Sequence, residues 1–81
     1  MARALKYRDV LTILQNLGLT PAKQRATSHQ TFFLKRHGKI WAVTLAFHGA
    51  NKEIPKGTLA SIIRQSGFSR EEFFKALKKK L

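Results

Sequence analysis

Three histidines, His29, His37 and His48, are the side chains of this sequence that titrate near neutrality. They stand 8 and 11 residues apart, which is no metal-ligand spacing, and there is no Cys to complete a zinc set. His37 precedes Gly38 between two apolar runs and reads as a turn residue. His48 precedes Gly49 after the second run, a setting that suits a hydrogen-bonded loop histidine. His29 differs in its surroundings. It lies in Arg25-Ala26-Thr27-Ser28-His29-Gln30-Thr31, where small hydroxyl residues precede an apolar run and cations stand on both sides. Such a histidine fits phosphate chemistry. Cleaving RNA through its own 2′-hydroxyl needs a base for that hydroxyl, an acid for the departing 5′-oxygen and positive charge for the crowded phosphorane; none of these requires a metal. The plainer reading is an exposed histidine with no chemistry, and residue types alone leave it open.

Carboxylate chemistry is poorly provided for. Of Asp9, Glu53, Glu71 and Glu72 only the last two adjoin, and on a helix they point about 100° apart. That disfavours paired-carboxylate hydrolysis and multi-carboxylate magnesium sites. Against these four acids stand 16 Lys and Arg, a formal charge of +12 on 81 residues. A field of that sign attracts polyanions, since each neutralised phosphate releases a condensed counterion. Nucleic acid is the leading partner; an anionic membrane or an acidic protein satisfies the same arithmetic.

The elements that must hold His29 form one domain over residues 1–81. A core this small supplies on the order of 3–5 kcal/mol, and no disulfide can supplement it. From Tyr7, the apolar residues Val10, Ile13, Leu14 and Leu17 recur at helical spacing, with Asp9 in the first turn and Gly18 to close, predicting a helix over about 7–17. Pro21 stops helical continuation, so Leu19 to Arg25 reads as an edge strand or loop. Gln30 to Lys35 and Lys39 to Ala46 are rich in β-branched and aromatic residues, and His37-Gly38 suits the turn of a hairpin. Pro55-Lys56-Gly57-Thr58 opens a second, short helix with Leu59, Ile62 and Ile63 as its apolar stripe and Gly67 as its end. Ser69 and Glu72 form a capping box for a third helix over about 70–79, with Phe73, Phe74 and Leu77 inward and lysines last. The order α-β-β-β-α-α predicts an α+β domain, a three-stranded antiparallel sheet with helices packed on one face. No apolar run is long enough to span a bilayer and the N-terminus lacks a signal-peptide pattern, so a cytoplasmic protein is expected.

Strand alternation places His29, Thr31, Phe33 and Lys35 on one face and Phe32 and Leu34 on the core side. Lys23, Arg25, Lys35, Arg36 and Lys39 bracket the strands and suit a phosphate backbone, with Ser28 and Lys35 the groups to orient the phosphate. Phe33 or Trp41 could stack on a base, although Trp41 alternates with Val43 and Leu45 and belongs more naturally in the core. Lys78-Lys79-Lys80 reads as a solvated helix end.

Several stretches together carry a resemblance. Ser28-His29 enters a strand and hairpin; Phe47-His48-Gly49-x-Asn51-Lys52-Glu53-Ile54-Pro55-Lys56-Gly57-Thr58-Leu59 follows, then Ile62-Ile63-Arg64-Gln65-Ser66-Gly67-Phe68-Ser69. In that order and spacing, from about Tyr7 to Leu77, the chain resembles the HicA (YcfA-like) mRNA interferase toxins. The resemblance implies a double-stranded-RNA-binding-domain-like fold, metal-independent endoribonuclease activity on mRNA, no cofactor, and neutralisation by a HicB antitoxin. It places the family's catalytic histidine, from a Gly-Ser-His motif, on His29. Thr27 stands where the family usually has Gly, and Gln30 where a second His is common.

Two readings from other classes stand beside it. One is a non-catalytic RNA-binding module that uses the same basic face. The other is an interaction protein whose charge serves an acidic partner, as a degenerate toxin still held by its antitoxin would be.

Overall fold

A computed structural model describes residues 5–22, 29–46, 49 and 51–78. Its order is α1 (Tyr7–Asn16), β1 (Thr20–Pro21), β2 (His29–Arg36), β3 (Lys39–Ala46), α2 (Lys56–Ser66) and α3 (Arg70–Lys75). The strands form an antiparallel sheet in the order β1-β2-β3. This is the expected α+β, double-stranded-RNA-binding-domain-like arrangement.

Each helix is bounded by chemistry visible in its residues. The Asp9 carboxylate accepts the Lys6 backbone N–H at 2.9 Å and caps α1, while Gly18 turns the chain away at φ 95°. The chain then contributes only Thr20 and Pro21 to the sheet, as suits a proline confined to an edge. α2, expected to be short, runs for 11 residues before Gly67 ends it in the left-handed conformation at φ 77°. Ser69 and Glu72 make the capping box of α3, with the Ser69 N–H to Glu72 Oε1 at 3.0 Å and the Glu72 N–H to Ser69 Oγ at 3.1 Å.

α3 stops at Lys75, short of the expected residue 79. Leu77 and Lys78 instead donate to the carbonyls three residues back, each at 3.2 Å, so the last turn tightens. Asn16 Nδ2 donates to the Ala76 carbonyl at 2.6 Å, using an acceptor that a longer helix would need and tying the ends of α1 and α3 together.

The β2–β3 hairpin closes from Arg36 to Lys39 through His37 (φ 54°) and Gly38 (φ 72°). Two central residues with positive φ are what a type I′ turn requires, and they match the strand twist. On the inner face Phe32 lies opposite Val43 and Gln30 opposite Leu45. Phe32, Val43 and Leu45 pack into one core with Val10, Ile13 and Leu14 of α1, Leu59, Ile62 and Ile63 of α2, and Phe73 of α3. Two further ties fix the layers. Gln65 Oε1 accepts the Thr44 N–H at 3.1 Å, so α2 covers part of the outer edge of β3. Ile54 N–H donates to the Leu5 carbonyl at 2.8 Å and Tyr7 N–H to that of Lys52 at 3.0 Å, pinning the segment before α2 to the start of α1.

Candidate nucleic-acid interface

All the helices described pack against the inner face of the sheet, which leaves its other face open. Directly paired residues share a face, so the open face follows from the register. It carries His29 opposite Ala46, Thr31 opposite Thr44, Phe33 between Thr20 and Ala42, and Lys35 opposite Ile40. His29 and Lys35 are exposed, and Phe33 and Ile40 are 41% and 66% exposed. The Thr31 and Thr44 hydroxyls lie 3.3 Å apart and share a hydrogen bond.

No carboxylate belongs to this face. Asp9 caps α1, Glu53 stands in the segment before α2, where its backbone forms an isolated β-bridge with Lys6, Glu71 pairs with Lys75 at 3.5 Å, and Glu72 is bound to Ser69. With all four acids accounted for, an anion approaching the open face meets His29, hydroxyls and Lys35 without a local opposing charge.

Among the described residues, the sequence-predicted site residues do not form one cluster. His29 and Lys35 share the open face, at opposite ends of β2. Arg36 and Lys39 pair with each other on the inner side of the hairpin, seven and more residues along the chain from His29. Arg36 is committed there: its guanidinium lies 3.9 Å from the Phe68 ring centroid and Nη1 donates to the Gly67 carbonyl at 3.2 Å. Lys39 Nζ lies 4.4 Å from the centroid of the Trp41 ring. Lys23, Arg25 and Ser28 lie outside the described residues, as do Thr27 and His48. Gln30 faces inward, and its Nε2 donates to the Ala22 carbonyl at 3.1 Å, strapping β2 to the chain after β1.

The two aromatic candidates separate by face. Trp41 is half-buried on the inner side, against Gly67. Phe33 is the one on the side of His29. Thr44 and Ala42 were not singled out from the sequence, yet a two-residue turn at His37-Gly38 alone puts them across from Thr31 and Phe33.

The fold shifts the ionisation of Glu72. The Ser69 backbone N–H, and then the Ser69 side chain, hold its carboxyl below the usual carboxylate range. Desolvation opposes them, and the charges of Arg36 and Lys75 add to the lowering.

Fold and face together define a small, strongly basic α+β domain with an acid-free sheet surface. A family model described as HicA toxin of bacterial toxin-antitoxin matches residues 7–68. The chain belongs to the HicA toxin family, and so to toxin–antitoxin systems, in which a toxin has an antitoxin partner. No curated protein matches it significantly. Among the described residues no helix is long and apolar enough to cross a membrane.

Proposed function

We propose that this chain is a metal-independent endoribonuclease acting on mRNA in the cytoplasm, with His29 as general acid or base, and that a HicB-like antitoxin neutralises it. The single observation that carries the reading is the exposure of His29 on a sheet face that holds no carboxylate and ends in Lys35. The imidazole takes the proton of the attacking 2′-hydroxyl or gives one to the departing 5′-oxygen, water or a lysine serving the other oxygen, and the 2′-oxygen displaces the 5′-oxygen to leave a 2′,3′-cyclic phosphate. Lys35, with Ser28, Lys23 and Arg25, which precede β2 in the sequence, supplies hydrogen bonds and charge to the phosphate. Arg36 and Lys39 contribute at most the outer reaches of the RNA track, since their contacts hold them to Phe68, Gly67 and Trp41.

An antitoxin rich in carboxylates would inhibit by covering this surface, and the same charges would speed its association. Replacing the cations around His29 should then weaken the antitoxin complex; unchanged affinity would count against occlusion.

The test is incubation of wild type and His29→Ala with labelled RNA in EDTA, followed by end analysis. Cleavage by the wild type alone, with 2′,3′-cyclic or 3′-phosphate ends, is the expected result. Equal cleavage by His29→Ala would remove His29 from the mechanism. Salt-dependent RNA binding with no scission by either protein would favour the non-catalytic module.

A further inference from the structure

The open face of the sheet is polar at one end and apolar towards the other. Beyond His29 and the Thr31–Thr44 pair comes the ring of Phe33, with Thr20 and Ala42 as its partners on the two neighbouring strands. Small side chains on both flanks leave the ring accessible from solvent, as its 41% exposure records. Ile40 continues the apolar surface diagonally, and Lys35 closes the row.

We propose that Phe33 is a base-stacking subsite for single-stranded RNA lying along β2. It takes a base about two nucleotides from the phosphate at His29. The register rests on the reading of His29 given above. Along a strand, alternate residues are about 6.6 Å apart, a step comparable with that between successive phosphates of an extended single strand. His29 to Phe33 is two such steps, and Lys35 is a third, placed to meet a further phosphate. An aromatic face beside a cation-lined track is how single strands are held without dependence on base identity.

Charge and area both favour RNA over a protein here. The face has no carboxylate and repels nothing on a phosphate backbone. Its exposed large apolar side chains are Phe33 and Ile40 among hydroxyls and a lysine, whereas a stable protein interface needs roughly 800 Å² from each partner. Two side chains make a stacking platform more readily than a docking core.

The experiment uses the full chain and an RNA oligomer in which every 2′-hydroxyl but one is methylated, so that a single phosphodiester is cleavable. An abasic residue is walked through the flanking positions. For the wild type, KM should rise roughly 5- to 150-fold when the abasic residue is two nucleotides from the cleavable bond on one side, with kcat changing far less. Phe33→Ala should show that higher KM on the intact oligomer, lose the positional effect and melt like the wild type; Phe33→Trp should restore both. An unchanged KM in Phe33→Ala, or an equal abasic effect at every position, overturns the proposal while leaving His29 in place. If the wild type does not cleave, the catalytic reading fails by itself, and binding of oligouridylate decides on Phe33. Weaker binding by Phe33→Ala and quenched indole emission in Phe33→Trp then support the subsite; the absence of both overturns it. Loss of antitoxin affinity with RNA binding intact would assign Phe33 to protein docking, and also overturns it.

Discussion

Gly67 passes so close over Trp41 that a Cβ at residue 67 would sit 2.7 Å from an indole ring carbon. The same glycine has φ 77°, so the position is closed to other residues both by backbone conformation and by space. Through this contact the end of α2 is seated on the hairpin that carries the open face.

Gly67→Ala is therefore expected to be strongly destabilising. The left-handed conformation costs an L-residue about 1–2 kcal/mol and overpacking against the ring about 1–3 kcal/mol more. Against a core of on the order of 3–5 kcal/mol, much of the protein would unfold. Urea denaturation followed by Trp41 emission checks this; a midpoint equal to wild type would contradict the close approach.

Lys35 and Arg36 are neighbours with opposite expected behaviour. Lys35→Ala should leave thermal stability unchanged and lower the salt dependence of RNA binding by one contact, a slope change of about 0.7 for a single strand. Arg36→Ala should cost about 1–2 kcal/mol by removing its stacking on Phe68 and its bond to Gly67, with little direct effect on the salt slope. Paired melting and salt-titration curves separate the two, and interchanged results would refute the assignment of faces.

Acid should act on α3 through Glu72. Its carboxyl titrates below its ordinary value of 4.5 in the folded chain, so the unfolded chain binds the proton first as pH falls. The stabilisation is therefore complete above that value and disappears as pH drops through the lower folded one. Glu72→Gln should melt below the wild type at neutral pH and approach it in acid. Parallel melting curves at every pH would show that the capping box does not govern this titration.

Asn16→Ala removes the side-chain bond between α1 and the end of α3. The half-protected Ala76 carbonyl loses its partner, a cost of about 1–2 kcal/mol. Amides of residues 73–78 should exchange with solvent faster than in the wild type, while those of β2 and β3 respond less. Uniform acceleration through the chain would mean that α3 opens only with the whole domain.

Much of the frame is readable before folding because its signals are local. His37-Gly38 sets a two-residue turn, the turn sets the register, and alternation then puts His29, Phe33 and Lys35 together. Gly67 and the Ser69–Glu72 box mark helix boundaries within a few residues of chain. What escapes such reading depends on distant partners. Arg36 adjoins Lys35 in a basic run, and only Phe68 and Gly67, brought over by α2, show that it is a tether. The early end of α3 depends on Asn16, 60 positions away from Ala76. Trp41 is half-buried, though alternation puts it with Val43 and Leu45, because what covers it is a glycine near the hairpin end of the sheet. Lys23, Arg25 and Ser28, expected at the interface from sequence position alone, lie outside the described residues.

The pairing of Leu5 and Tyr7 with Ile54 and Lys52 has a consequence for the order in which the protein is made. Synthesis proceeds from the N-terminus at about 5–20 residues per second, so α1 waits on the ribosome for its partner segment. The hairpin can close earlier, since its turn is local, but its inner face stays uncovered until α2 emerges. The nascent chain thus displays the His29 strand before it has a finished core. The completed domain arises only once α2 and α3 have emerged, and a binding partner present in the meantime would meet a chain still being assembled.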